Sequence, residues 1–65
     1  MTLSPRQIEV LEMIALGKGD KEIADELHIS ADTVDFHVRE VLQRLNAKTR
    51  AHAVAIHILT QAGVI

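Results

Sequence analysis

Apolar side chains recur at intervals of three and four positions along most of this 65-residue chain, the spacing that places them on one face of an α-helix. The pattern is interrupted around residues 17–20, 28–30 and 46–49, where Gly, Asp, Ser, Asn and Thr collect. Connections this short are typical of a compact helical domain. The pattern therefore predicts an all-α fold, a compact bundle of four helices, with residues 1–65 forming a single domain.

The first predicted helix has clear signals at both ends. Ser4-Pro5-Arg6-Gln7 offers a serine N-cap, a proline at the first helical position and a glutamine that completes a capping box. Gly17 can adopt the left-handed conformation that ends a helix. The inward stripe of this helix comprises Ile8, Leu11, Ile14 and Ala15, with Val10 at its edge.

The second and third predicted helices follow each other closely. The second runs from about Lys21 to Leu27 with Asp20 as its N-cap, and Ser30 caps the third. The short turn His28-Ile29 cannot bring the two helices back antiparallel, so the pair should cross steeply as a helix-turn-helix, with Ile29 filling the angle. The inner face of the second helix comprises Ile23, Ala24 and Leu27.

The third predicted helix, about residues 31–45 with Asn46 as its left-handed end, has the most informative pattern. Its apolar stripe comprises Val34, Val38, Val41, Leu42 and Leu45. Phe36, the chain's one Phe, Tyr or Trp, lies roughly 200° around the helix from Val34. The residues predicted beside it are Asp32, Arg39, Glu40 and Gln43. A small domain normally buries such a ring, so its outward position predicts that this face contacts a partner.

The fourth predicted helix, about residues 50–62 between the Thr49 cap and Gly63, is apolar on nearly every side. The last helix of so small a domain cannot bury all of these faces in its own core. One stripe suits a symmetric contact with a second copy and comprises Ala51, Ala55, Ile58, Leu59 and Ala62. The alternative is that an N-terminal domain covers the same surface.

Composition narrows the class of protein. The chain has no cysteine, which excludes disulfides, thiolate zinc sites and a cysteine nucleophile. Histidines at positions 28, 37, 52 and 57 lack the three- or four-residue spacing of a helical metal site. Without a Ser/His/Asp arrangement or a phosphate-binding glycine loop, we expect neither an enzyme nor a cofactor. No apolar run reaches the ~18 residues of a membrane span, and Met1 precedes no leader pattern, which predicts a cytoplasmic protein.

Charge is distributed unevenly along the chain. The net charge of −2 is unusual for a nucleic-acid-binding domain. Residues 1–35 contain three basic and eight acidic residues, a net of −5, whereas residues 36–65 contain four basic residues and one acidic residue, a net of +3. This separation would orient the approach of the domain to a polyanion. Solvated helix faces without a binding role are the alternative.

Taken in order, nearly the whole chain resembles the LuxR-type helix-turn-helix domain, also called the GerE or NarL/FixJ type. The segments that carry the likeness are 3–11 (LSPRQIEVL), 14–17 (IALG), 21–24 (KEIA), 27–30 (LHIS), Thr33-Val34, His37-Val38, Leu45, Arg50 and Ala53-Val54. The Thr-Val-x-Phe-His form at residues 33–37 is most similar to the quorum-sensing branch.

The resemblance implies a DNA-binding domain of a bacterial transcription regulator. The third helix would enter the major groove, and the fourth would supply the contact of a homodimer on two-fold-related half-sites of double-stranded DNA. Family members usually follow an N-terminal sensor domain that responds to a phosphoryl group or a small molecule, although stand-alone versions exist. RNA polymerase is a further expected partner.

Three residues of the third helix are predicted to contact bases. Arg39 can pair bidentately with guanine, or it can form an ion pair with Asp35 one turn earlier. Phe36 suits a thymine methyl group or a sugar, or it can pack on helix two or a neighbouring domain. Asp35 departs from the family, where Lys or Arg is frequent. It can accept from cytosine N4 or simply order Arg39.

Other residues match family positions that contact phosphates, namely Lys21, Thr33 and His37. Thr33 can instead bond back within its own helix. Gln43 completes the outward face, and Arg44, Lys48 and Arg50 are weaker candidates. Arg50 is equally suited to bridge helix four to the acidic helices. A protein-interaction module that has lost DNA binding is the competing function, because Asp35 and the net charge of −2 both disfavour a polyanion.

Overall fold

Four α-helices make up most of residues 3–65, the part of the chain that the computed structural model describes. They are α1 (Pro5–Ala15), α2 (Asp20–Leu27), α3 (Ala31–Leu45) and α4 (Arg50–Gln61), and no strand occurs within residues 3–65. This confirms the predicted all-α architecture. Residues 1 and 2 lie outside the described residues. The predicted single domain includes both of them, and the prediction of no leader rested on Met1. None of the described helices is long and apolar enough to cross a membrane.

The predicted caps form at three of the four helix starts. The Ser4 hydroxyl accepts from the Gln7 backbone N–H at 3.1 Å, and the Gln7 side chain accepts from the Ser4 N–H at 2.9 Å. Ser30 caps α3 and Thr49 caps α4 in the same way, each accepting a backbone N–H three residues ahead. These bonds satisfy donors that a helix start leaves without an intrahelical partner.

The predicted left-handed residues end the helices. The φ angle is +86° at Gly17, +53° at Asn46 and +79° at Gly63. Because Gly63 reverses the chain there, α4 ends at Gln61, one residue before the predicted end, and Ala62 closes its last turn. Local chemistry thus sets most of the helix ends.

The start of α2 differs from the prediction. Asp20 is not the N-cap but the first residue of the helix, and Gly19 occupies the cap position. The physical reason is that the Asp20 carboxylate accepts two hydrogen bonds from the Arg50 guanidinium, which takes it away from the helix end. Glu22 serves the helix start instead, and its side chain accepts from the Gly19 N–H at 3.1 Å.

Two clusters of apolar side chains form the core, and α3 contributes to both. The first joins α1, α2 and α3 and contains Val10, Ile23, Ala24, Val34 and Val38. The second joins α1, α3 and α4 and contains Leu11, Val41 and Ala53. Val10 is fully buried and not at the edge of its stripe, whereas Ala15 is exposed, so both predictions were wrong.

The turn between α2 and α3 has the expected helix-turn-helix form. His28 takes the left-handed conformation, with φ 57° and ψ 44°. The Ile29 N–H donates to the Ala24 carbonyl at 3.0 Å, and the Ile29 side chain packs on the first cluster. The turn is therefore fixed from inside by an apolar side chain, as predicted.

A buried amide connects α1 to α3. Gln7 is 3% exposed, and its amide nitrogen donates to Glu40 at 3.2 Å. Glu40 was predicted on the outward face beside Phe36, and this was wrong, because its carboxylate turns to the side and is half-buried against α1. Fewer side chains of α3 therefore face outward than the helical wheel predicted.

Candidate nucleic-acid interface

The outward face of α3 carries the chain's one large aromatic ring. Phe36 is 57% exposed, while Val34 and Val38 behind it are buried in the first cluster. Arg39 and Gln43 are exposed on the same helix. The predicted outward position of Phe36 is confirmed, and the arrangement presents an apolar ring, a guanidinium and an amide to whatever approaches α3.

Asp35 and Arg39 form the ion pair that the sequence offered as one alternative. The Arg39 Nε lies 2.9 Å from the Asp35 Oδ2, and the arginine side chain is 78% exposed. An exposed helical pair of this kind contributes only ~0.3–0.5 kcal/mol, so it can break when a better acceptor arrives. The pair orders Arg39 in the free protein and is compatible with a later contact to a base.

Arg50 bridges helix four to an acidic helix, as one of its two predicted roles required. Both terminal nitrogens of its guanidinium donate hydrogen bonds to the Asp20 carboxylate, with Nη2 2.9 Å from Oδ2. The same Nη2 lies 3.9 Å from the Asp35 Oδ1. A continuous ion-pair chain thus runs from Asp20 through Arg50 and Asp35 to Arg39, and it joins the starts of α2 and α4 to the outward face of α3.

The contact between Asp20 and Arg50 shifts the pKa values of these two groups. The hydrogen bond from Arg50 holds the pKa of the Asp20 carboxyl below its ordinary value, although partial burial acts in the other direction. The hydrogen bond to Asp20 raises the pKa of Arg50 in turn. Both groups therefore stay charged in each other's presence, which keeps the bridge between α4 and α2 intact near neutral pH.

The residues predicted to contact phosphate differ in their exposure and in their hydrogen bonds. Lys21 is exposed in the first turn of α2. Thr33 is half-buried at the start of α3, and its hydroxyl shares a 2.8 Å hydrogen bond with the Ser30 hydroxyl, which favours its local role. His37 is half-buried beside Phe36, with the two ring centroids 6.0 Å apart. Within residues 3–65, His37 Nδ1 is the one buried side-chain nitrogen or oxygen without a hydrogen-bond partner.

The predicted stripe on α4 lies at the surface. Ala51, Ala55 and Ala62 are exposed, and Ile58 and Leu59 are 54% and 41% exposed. The opposite side of α4 faces the core through Ala53 and the half-buried Val54. An open groove beside Ile58 is lined by Glu12, Ala15, Leu16, His57 and Gln61. The exposed apolar stripe therefore has no covering element within residues 3–65.

Asp20 is the member of this region that sequence reasoning missed. Its partner Arg50 is thirty positions away, and no periodicity links the two. The one signal in the sequence was the prediction that Arg50 bridges helix four to the acidic helices, and that prediction named no partner residue. In residues 3–65 no group of three or more His, Cys, Asp or Glu side chains is placed to hold a metal ion.

Comparison with known proteins gives a consistent picture. The chain matches the family model GerE, described as bacterial regulatory proteins of the luxR family, over residues 1–57. It is 44% identical over 52 residues to the oxygen regulatory protein NreC of Staphylococcus carnosus (strain TM300), which covers 80% of this chain and 24% of NreC. It is 41% identical over 61 residues to the nitrate/nitrite response regulator protein NarP of Escherichia coli (strain K12), which covers 94% of this chain and 28% of NarP.

A third relative is the uncharacterized transcriptional regulatory protein YvfU of Bacillus subtilis (strain 168). It is 44% identical over 54 residues, which cover 83% of this chain and 27% of YvfU. The chain thus spans about a quarter of the length of these curated relatives.

The lowered pKa of Asp20 predicts a specific dependence of stability on pH. A carboxylate whose folded-state pKa lies below its unfolded value stabilises the fold above about pH 4, and that contribution disappears as the pH falls through the folded-state pKa. We expect Asp20→Asn to lower the unfolding midpoint by a few degrees near pH 7, because partly exposed pairs contribute about 1 kcal/mol or less. The difference from the unsubstituted protein should shrink below about pH 4.

Thermal unfolding followed by circular dichroism between pH 7 and pH 2.5 measures this difference. Asp25→Asn is the matched control, since Asp25 is an exposed carboxylate on the same helix. A gap between Asp20→Asn and the unsubstituted protein that stays constant at all pH values would contradict the prediction.

Proposed function

We propose a function on the basis of the family. The chain belongs to the luxR family of bacterial regulatory proteins, and it is a DNA-binding domain that acts in transcription regulation. We further propose that α3 enters the major groove of double-stranded DNA and reads its sequence. The observation that supports this is the outward placement of Phe36 and Arg39 on a helix whose other side is anchored in the core. A helix of this kind fits the width of the major groove.

Each outward side chain of α3 suits a particular base edge. Arg39 donates two parallel hydrogen bonds to O6 and N7 of guanine, and Phe36 contacts a thymine methyl group or a sugar. Asp35 has two candidate roles, to accept from the N4 amino group of cytosine or to order Arg39 through their ion pair. Gln43 continues the face toward the end of α3. These contacts supply discrimination, because only base edges differ between sequences.

The contacts to phosphate flank this face and set the position of the helix. Lys21 lies in the first turn of α2, Thr33 lies in the first turn of α3, and His37 lies one turn further along α3. The partial positive charge of the helix start adds to their attraction for phosphate. Because the net charge of the chain is −2, this local arrangement has to supply the attraction.

We also propose that two copies associate through α4. The exposed stripe of that helix contains Ala51, Ala55, Ile58, Leu59 and Ala62, and its alanines permit close approach of two helices. A two-fold dimer would place two copies of α3 about 34 Å apart, one turn of duplex, on two-fold-related half-sites. The competing occupant of this stripe is an N-terminal sensor domain of the same protein.

The wider role follows the longer relatives. The names of these relatives concern oxygen regulation, nitrate/nitrite response and transcriptional regulation. By analogy, the domain would serve a regulator with an N-terminal sensor domain, acting on RNA polymerase in the bacterial cytoplasm, without catalysis of its own. Membership of the quorum-sensing branch stays a prediction from residues 33–37.

One alternative function has an observation in its favour. Arg39 and Arg50 are both engaged by carboxylates, and the chain is acidic as a whole. This would suit a surface that docks on another protein after DNA binding has been lost. Phe36 would then be an anchor for the protein partner.

A salt titration separates these two functions. We expect the affinity of the domain for duplex DNA, measured by fluorescence anisotropy, to fall linearly with salt concentration on logarithmic axes, because binding releases counterions from phosphates. Undetectable binding even at low ionic strength, or binding that does not change with salt, would favour the protein-interaction module.

Substitution of Arg39 tests base recognition. Arg39→Ala should cost ~1–3 kcal/mol of binding free energy on a duplex selected from a random pool and should relax the preference at one base pair. Arg6→Ala is the matched control, since Arg6 also pairs with a carboxylate in its helix, on α1. An equal loss on all sequences would make Arg39 a phosphate contact.

Substitution of Ile58 tests self-association. A charge at this exposed position of the stripe should prevent apolar contact between two copies of α4, so Ile58→Asp should be monomeric in analytical ultracentrifugation and bind paired half-sites without cooperativity. Thr60→Asp introduces the same charge at an exposed position on the opposite side of α4. If both variants associate like the unsubstituted protein, the dimer does not use this stripe.

A further inference from the structure

Asp35 is the one carboxylate among the outward residues proposed to meet DNA, and two guanidiniums compete for it. Its Oδ2 lies 2.9 Å from the Arg39 Nε, and its Oδ1 lies 3.9 Å from the Arg50 Nη2. A carboxylate at this place opposes a polyanion. Its position between two arginines requires an explanation beyond a cap or a core contact.

The ion-pair chain removes net charge from the proposed reading face. Two aspartates, Asp20 and Asp35, offset the two arginines, Arg39 and Arg50. Phosphate groups attract arginine mainly through charge, and they do so equally in every sequence. A phosphate that approaches the terminal nitrogens of Arg39 therefore also meets the negative charge of Asp35. Attraction that is independent of sequence is weakened as a result.

Asp35 weakens a contact between Arg39 and a base edge less than it weakens a contact between Arg39 and a phosphate. The contact with Asp35 involves the Nε of Arg39, whereas the terminal nitrogens carry the other four N–H donors of a guanidinium. Those terminal donors are the ones that can form two parallel hydrogen bonds with the O6 and N7 acceptors of guanine. Asp35 can thus hold the side chain while its reading end faces outward.

We infer that Asp35 is a specificity-determining residue that acts through Arg39: it suppresses binding to phosphates of any sequence and preserves binding to the selected site. The inference rests on the proposed function of α3 as the DNA-reading helix. It differs from a direct contact of Asp35 with cytosine, because the effect appears on DNA that lacks the selected site.

The test compares Asp35→Asn with the unsubstituted protein on two duplexes of equal length, one selected from a random pool and one unrelated. At 50 mM salt, we expect the substitution to raise affinity for the unrelated duplex about three- to tenfold and to steepen the logarithmic salt dependence by about one unit. Affinity for the selected duplex should rise less or fall. The ratio of the two affinities should therefore decrease.

Asp32→Asn is the matched control for loss of a negative charge. Asp32 is an exposed aspartate one turn earlier on α3, and it forms no ion pair within residues 3–65 that resembles the Asp35 pair with Arg39. We expect this variant to change affinity for both duplexes by the same small factor. If Asp35→Asn behaves in the same way, its effect is general charge repulsion and the inference is wrong.

A double substitution tests whether the effect passes through Arg39. In an Arg39→Ala background, Asp35→Asn should change the affinity ratio no more than Asp32→Asn does. A loss confined to one base pair of the selected duplex, with the unrelated duplex unaffected, would make Asp35 a direct base contact and overturn the inference. Unfolding midpoints of all variants confirm that each is folded.

The outcomes separate this inference from the function on which it rests. If the unsubstituted protein binds neither duplex at low salt, the proposed function fails, and the role of Asp35 fails with it. If the unsubstituted protein prefers its selected duplex and Asp35→Asn leaves the ratio unchanged, only the inference fails.

Discussion

The outward face of this domain depends on the burial of one stripe of valines on α3. Val34 and Val38 close the first core cluster and Val41 enters the second, so α3 cannot rotate without exposing one of them. Because this rotation is fixed, Phe36 and Arg39 point to solvent. In a chain of 65 residues, which buries a small core, the same contacts must stabilise the fold and determine which side chains of α3 face solvent.

Ion pairs then act on side chains of helices that the core has already positioned. The bond between Arg50 and Asp20 fastens the start of α4 to the start of α2, and its extension through Asp35 reaches Arg39. Contacts within a single helix are weak at this degree of exposure, whereas the contacts of Arg50 with Asp20 and Asp35 join residues of three different helices. Two of the chain's acidic residues, Asp20 and Asp35, thus pair with arginines.

Features decided within a few residues were predictable from the sequence. The caps at Ser4, Ser30 and Thr49 and the left-handed ends at Gly17 and Asn46 follow from short-range hydrogen bonding and backbone sterics. The outward position of Phe36 followed from helical periodicity, since α3 has enough valines to define its inner side. The family resemblance extended these local signals to a complete fold.

Features decided by distant partners were not predictable. Asp20 has every local property of an N-cap, yet its carboxylate accepts hydrogen bonds from the guanidinium of Arg50, thirty positions away. Glu40 lies near the boundary of the wheel, and only the position of Gln7 on α1 decides on which side it falls.

The buried Gln7 amide restricts how this domain can vary. Its oxygen serves the Ser4 N–H and its nitrogen serves Glu40, so the side chain has to offer an acceptor and a donor at once. Glutamate at position 7 would retain the cap but set two carboxylates against each other. A substitution that replaces the amide donor at position 7 with a carboxylate therefore requires a compensating change at position 40 to avoid two facing carboxylates.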